Sequence, residues 1–507
     1  MFSALITKPD LRRVHSAMMF FVSFLIAFIP SCNTQHVSWV MTEELGDSRL
    51  EPQKPLSFSE KESINPDVVR ISVNATKTYQ SILGIGSSLE SSSCYNFMRL
   101  NDVTRRDVLK KLFDIDEGIG MNLMRITIGT SDFCPPPYYS YDDVTLGQTD
   151  YSLKGFSTKE DEQFIVPLIQ EAIAISKESL RNKDELLFFA SPWSGPNFLK
   201  NHGSLIGGRL KDDSLSMETY ARYLVKFIET YRDEYNINIT ALTVQNEPMA
   251  NQTYPSTFMS PRQEAKLIGK YLGPIMPGGV DIWCYDHNWI DLAYPRTVLQ
   301  DEKAYEFVQG VAFHGYQGSP VQMTTLSEEF PEKQIYFSEG SFFKVRGAVK
   351  IVQIFRNWSR SYNAWVTMLD SNLQPNSGPF IAHPTMVTLQ LNDDGSSVEG
   401  VKYNLEYYIY GHFSKYIPRK SVRISSETND ENDYCGDDVN SDRELKTRKE
   451  GCDMKHVAFL YIDEVIFILV NTNSHNASAV EIEFNGKFLT VKVPPMSIST
   501  FSWSVDV

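Results

Sequence analysis

Two stretches of the chain end an apolar run on a carboxylate. LTVQNEP (242–248) closes on Gln245, Asn246, Glu247 and Pro248, and IYFSEGS (335–341) closes on Glu339. A glutamate at a strand tip is ordinarily just solvated, but two on similar strands suggest a shared task. Paired carboxylates across a cavity are the machinery of glycoside hydrolysis: one protonates the leaving oxygen and the other, ionised, attacks the anomeric carbon. Asn246 suggests the division of labour, because an amide beside the acid can hydrogen-bond a sugar 2-hydroxyl. Glu247 therefore reads as general acid/base and Glu339 as nucleophile. Burial and the charge of Glu339 should raise the Glu247 pKa.

The elements that must position this pair follow a rhythm. Apolar runs at 81–89, 121–129, 185–193, 239–248, 281–289, 310–316, 334–341 and 364–370 alternate with amphipathic segments. EQFIVPLIQEAIAIS repeats apolar residues every three or four positions. In SPRQEAKLIGKYLG, Ser260, Pro261 and Gln263 form a helix start. Eight such units predict a (β/α)8 TIM barrel over 81–418, with the chemistry at the C-terminal ends of its strands. Polar residues do gather there: Asp132 after the second strand, Trp193 at the third, Asp286, His287 and Asn288 at the fifth and Tyr316 at the sixth. Tyr316 can hydrogen-bond Glu339, and Trp193 and Trp365 can either pack or stack on a sugar ring. Asp132 can contact substrate or pair with Arg125. His287 and His314 read as core histidines rather than metal ligands.

After residue 419 the short runs VAFLYI, VIFILVNT, VEIEF, FLTVKV and ISTFSWS predict an additional antiparallel β-sandwich domain over 419–507, which the strand-like segment 66–80 completes. Residues 425–453 read as an exposed acidic loop and 33–65 as a polar leader.

The chain has 507 residues and a formal net charge of -15. It carries no basic stripe, which argues against a nucleic-acid partner. Lys8, Arg12 and Arg13 precede MMFFVSFLIAFIP (18–30), so residues 1–32 read as a secretory signal peptide, with an uncleaved signal anchor as the alternative. Sequons at Asn74, Asn238, Asn251, Asn357 and Asn476 fit a secreted or lysosomal glycoprotein. The 6 cysteines form no disulfide framework; Cys435 and Cys452 are candidates to staple the acidic loop. No CxxC or HExxH occurs, so neither a metal nor another cofactor is expected.

RITIGTSDF, FFASPWSGPNFLK, LTVQNEP, YFSEGS and GHFSKYIP, in that order, resemble glycoside hydrolase family 30, the glucosylceramidase family. The resemblance spans about residues 69–507. It implies a retaining β-glucosidase without a metal, with Glu247 as acid/base, Glu339 as nucleophile, and Asp132, Trp193 and Asn246 on sugar hydroxyls. It also places Tyr254 and Tyr316 beside the catalytic pair. The implied substrate is glucosylceramide, a sphingolipid, with possible contact to a membrane surface or an activator protein. Three departures bear on the substrate. Trp365 fits the first of two tryptophans that animal enzymes carry at the eighth strand, but Met368 stands at the second. Gly315 replaces a tryptophan, and GIGSSLESSS replaces a Gly-Gly followed by an aspartate. Other branches of the family cleave β-1,6-glucan or xylose-containing substrates, so a soluble glucan is the alternative. A non-catalytic glycolipid-binding relative is the remaining reading, opposed by the survival of both glutamates.

Overall fold

Along most of the predicted barrel strands an apolar residue is followed, two positions on, by a polar one. In a strand those two side chains share a face. Leu123, Phe189, Ala241, Ala312 and Tyr336 are buried together with Trp283 as a floor inside the barrel. Trp283 stacks on Tyr336 with ring centroids 3.9 Å apart. Two residues further on stand Arg125, Ser191, Thr243, His314 and Ser338, all buried. The barrel is therefore plugged by an apolar layer and carries a polar layer directly above it.

The computed structural model describes residues 36–65, 68–179, 185–383, 385–428 and 454–506. The signal segment, the Cys435–Cys452 staple and most of the acidic loop lie outside them. The barrel strands are Gly84–Gly86, Leu123–Ile128, Leu187–Pro192, Ile239–Thr243, Asp281–Asn288, Val308–His314, Gln334–Glu339 and Ser361–Asn363. The second to the seventh pair in parallel order. The eighth pairs with the first in parallel. Bridges from Ser88 to Arg125 and from Gly340 to Ala364 close the ring. Gly86 is required at this seam, because a Cβ there would lie 1.9 Å from the Leu123 carbonyl oxygen.

The eighth strand sits earlier than the apolar run 364–370 suggested. Ser361–Asn363 is short and polar, and Asn363 holds it by donating to the Leu123 carbonyl at 2.8 Å. Met368–Asp370 instead pairs with Val387–Leu391, which also pairs with Val398–Tyr403. These three strands form a small sheet between the eighth barrel strand and the last helix, Leu405–Ser414.

The second domain is a curled sheet of short strands with its own apolar interior, including Ile71, Phe467, Ile482, Leu489, Phe501 and Trp503. Residues 36–65 of the expected leader are part of it. His36–Glu43 pairs antiparallel with Ser497–Ser504, and Val37 is fully buried. Leu56–Ser57 pairs back onto that strand, and Ser59 bridges to Phe488 at the other end of the sheet, so this polar segment straps the curl closed. Val69–Ser81 runs antiparallel to Val422–Thr428 but parallel to Ser478–Phe484, so the sheet is not wholly antiparallel. The strand Val422–Thr428 also takes the first four residues of the predicted acidic loop. Among the described residues, no helix is long and apolar enough to cross a membrane.

His412 pins the last helix to this sheet. It is fully buried, with Nδ1 2.8 Å from the Thr500 hydroxyl and Nε2 2.9 Å from that of Thr42. Burial pushes its pKa down to about 3. The unfolded chain would take up that proton near the ordinary value of about 6.5. Its contribution to stability is therefore complete above that pH and is lost on acidification toward 3. Replacing His412 with Gln should flatten the fall of Tm between pH 6.5 and 4, as followed by calorimetry. An unchanged slope would refute the assignment.

Candidate active site

The polar layer is organised by Arg125, which is 1% exposed. Its Nε donates to the Ser191 hydroxyl at 3.0 Å. Nη2 donates to Asn246 Oδ1 and to Asp286 Oδ2, each at 2.8 Å. Nη1 donates to Glu339 Oε2. The guanidinium lies 4.7 Å from the Trp193 ring and 5.6 Å from that of Trp365. One cation thus ties together the ends of five barrel strands.

Two irregularities turn Asp286 and Glu339 inward. Asp286 is skipped between the pairs Ala312–Tyr285 and Phe313–His287, and Ser338 is skipped between Phe313–Phe337 and His314–Glu339. Such bulges re-aim side chains beside sites. Asp286, fully buried, accepts from Ser338 Oγ at 2.5 Å, from Thr243 Oγ1 at 2.6 Å and from Arg125. Burial alone would raise its pKa, but Arg125 and His314 hold it well below the usual carboxylate range.

Glu247 follows the fourth strand in a left-handed turn at φ 46°. A non-glycine residue rarely adopts that conformation, and one that does is commonly held by its surroundings. Here the Glu247 amide donates to the Asp286 carbonyl at 3.0 Å, and the Asn246 amide to the Pro192 carbonyl at 2.8 Å. Glu339 ends the seventh strand, and its Oε1 accepts from the Tyr316 hydroxyl at 2.8 Å. Between the two carboxylates stands His314. Its Nδ1 is 3.2 Å from Glu247 Oε1 and 3.7 Å from Glu339 Oε1. Those two oxygens are therefore no further apart than the sum of the two distances.

The expected rise in the Glu247 pKa does not occur. Burial acts in that direction, but His287 and His314 bond the carboxylate and hold it well below its usual range. His314 is the counterpart. Burial disfavours its charge, but Glu339 and Asp286 outweigh burial and raise its pKa to about 10. Its Nε2 lies 3.0 Å from Asp286 Oδ1. The contact thus favours the charged forms of both Glu247 and His314. Both histidines belong to the site rather than to the core.

A cavity of about 560 Å³ opens over this layer, and Asp132, Trp193, Asn246, Glu247, Tyr254, Tyr316, Glu339 and Trp365 all line it. The structure thus brings together every residue expected from the sequence. Trp193 and Trp365 stack on each other, with centroids 5.1 Å apart. Asp132 does not pair with Arg125. Burial and the charge of Glu339 push its carboxyl up to about 8. Two departures in the sequence fall outside the cavity wall. Met368 is fully buried in the core. At Gly315 a Cβ would lie 2.5 Å from the Phe342 ring, which stacks on Phe337 and fills the place of a larger side chain. Sequence reasoning gave Arg125, Asp286, His287 and His314 no catalytic-site role. The pattern of an apolar floor residue followed two positions on by a polar one marks Arg125 and His314.

This geometry is that of a barrel glycosidase, and comparison with known proteins agrees. Residues 82–417 match the glycosyl hydrolase family 30 TIM-barrel domain, and the chain belongs to that family. It is 31% identical over 375 residues to Endo-1,6-beta-D-glucanase neg1 of Aspergillus fumigatus, covering 68% of this chain and 72% of that protein. It is 27% identical over 468 residues to Lysosomal acid glucosylceramidase of Mus musculus, covering 85% and 83%. The solved structure of the endo-beta1,6-glucanase BT3312 shares the fold, with a TM-score of 0.77 at 23% identity, over 92% of this chain and 99% of that one.

Removing the central cation should be costly, because two buried carboxylates would lose their partner. Arg125→Leu should destabilise the protein by about 3–5 kcal/mol in urea unfolding. A loss below about 1 kcal/mol would contradict the role given to the guanidinium.

Proposed function

We propose that the protein is a retaining β-glucosidase whose substrate is a glucosyl lipid of the glucosylceramide type, hydrolysed to glucose and ceramide. In this reading Glu339 attacks the anomeric carbon. Arg125 and the Tyr316 hydroxyl hold it and aim it. Glu247 protonates the leaving oxygen, then activates water to release the sugar. A retaining pair stands about 5–5.5 Å apart, which the limit set through His314 admits. Asn246 Oδ1 is engaged by Arg125, which leaves its Nδ2 to donate to the sugar 2-hydroxyl. Asp132, Trp193, Tyr254 and Trp365 surround the sugar.

The observation that favours a lipid is the cavity's outer wall. Val366, Leu369 and Ala382 continue from the carboxylates to Phe380 and Ile381, which are 56% and 86% exposed. An aliphatic side chain such as Ile381 has no ring to stack on a sugar, but it suits a hydrocarbon aglycone at a membrane surface or on an activator protein. The second reading is a β-1,6-glucanase, which the 31% identity to the Aspergillus fumigatus enzyme supports. A secretory destination, lysosomal or extracellular, is part of the proposal. It rests on the basic and apolar N-terminus and on sequons of which Asn74, Asn238, Asn251 and Asn476 are exposed.

The test is glucose release by the purified protein, side by side on glucosylceramide micelles and on a β-1,6-linked glucan, with Glu339→Gln as the inactive control. Release from the lipid is expected, with a loss of roughly 10²–10⁴-fold in Glu247→Gln. Phe380→Asp should raise KM for the lipid while sparing a small aryl β-glucoside. Release from the glucan alone would move the substrate to the second reading. Full activity in Glu339→Gln would end both.

A further inference from the structure

Glu247, His287 and His314 form a constellation that glycoside hydrolysis does not itself require. Glu247 Oε1 lies 3.2 Å from His314 Nδ1 and 3.5 Å from His287 Nδ1. All three ligand atoms fall within 4.8 Å of one another. Around a tetrahedral zinc ion with bonds of about 2.0–2.1 Å, neighbouring ligand atoms lie about 3.3 Å apart. Two edges of such a tetrahedron are thus already in place. The third, between the imidazoles, closes with a small rotation of His287, whose side chain is 15% exposed on the cavity side.

A second observation points the same way. His314 Nε2 is held by Asp286 Oδ1 at 3.0 Å. Asp286 is itself fixed by Ser338, Thr243 and Arg125. A carboxylate on the far nitrogen of an imidazole is the arrangement that orients metal-binding histidines and raises their basicity. Glu247 and His287 both line the cavity, so an ion entering from solvent reaches them directly.

We propose that Glu247, His287 and His314 bind a divalent transition cation, zinc(II) foremost, as an inhibitory site. Two imidazoles and one carboxylate suit zinc, copper or nickel, whereas magnesium and calcium require oxygen ligands. Binding forms bonds from the ion to Glu247 Oε1 and to the two Nδ1 atoms, and any proton on those atoms leaves to solvent. The carboxylate is then held on the ion, whose positive charge opposes its protonation, so it cannot deliver a proton to the leaving group. The inhibition rests on the catalytic reading above; the binding does not.

The test uses the full chain in chelator-treated buffer, with cobalt(II) as a spectroscopic substitute for zinc. Wild type should develop the visible absorption of tetrahedral cobalt, saturating at one equivalent and displaced by zinc. Glu247→Gln, which preserves shape but offers a poor ligand, should lose the band. Zinc should inhibit hydrolysis of p-nitrophenyl β-D-glucoside and EDTA should reverse it. His287→Ala should raise the half-inhibiting zinc concentration at least about tenfold, whatever its basal rate. Retention of the band in Glu247→Gln, or equal zinc sensitivity in His287→Ala, would overturn the proposal. A cobalt band in a protein that cleaves no glucoside would keep the site and remove the catalytic reading. Cleavage without any band would overturn the site alone.

Discussion

A single buried guanidinium holds the mouth of this barrel together. Arg125 is bonded by Ser191, Asn246, Asp286 and Glu339 and covered by two indole rings. A charge removed from water is tolerable only when paired and hydrogen-bonded. That requirement works in both directions. The carboxylates make Arg125 bearable, and Arg125 favours the ionised form of Asp286 in a buried layer. The floor beneath, with Trp283 on Tyr336, excludes water from below. The polar layer opens to solvent through the cavity above it.

The same constraint explains the local distortions. A regular strand would point Asp286 and Glu339 away from the axis. The two bulges bring them in, and with them the anchor for His314. The left-handed turn at Glu247 is held by amides bonded to neighbouring strands. Each irregularity lies next to a charged group that needs a partner. The β domain works at a distance, clasping the last barrel helix through His412 and closing its own sheet with the strap at 56–59.

Much of this was legible in the sequence, for identifiable reasons. The two glutamates stood out because each ends a β-branched or aromatic run, and seven of the eight barrel strands announced themselves in the same way. The eighth did not, because Ser361–Asn363 is only 3 residues long, with one aromatic between two polar residues, so it offers no apolar run. The strand His36–Glu43 was hidden by the polar residues around it. The direction of the Glu247 pKa was misread for a deeper reason. It depends on two histidines from the fifth and sixth strands, and only a bulged register brings Asp286 beneath one of them. Periodicity locates strands, but a bulge that re-aims one side chain leaves no periodic trace.

The central claim is that Glu339 is the group that forms the covalent bond to the sugar. The most direct measurement is to treat the protein with an activated 2-deoxy-2-fluoroglucoside, which slows release of a glycosyl-enzyme, and to map the label by peptide mass spectrometry. The account predicts one label, on the peptide carrying Glu339, and none in Glu339→Gln. A label on Glu247, or hydrolysis of ordinary β-glucosides with inversion and no trapped intermediate, would contradict it.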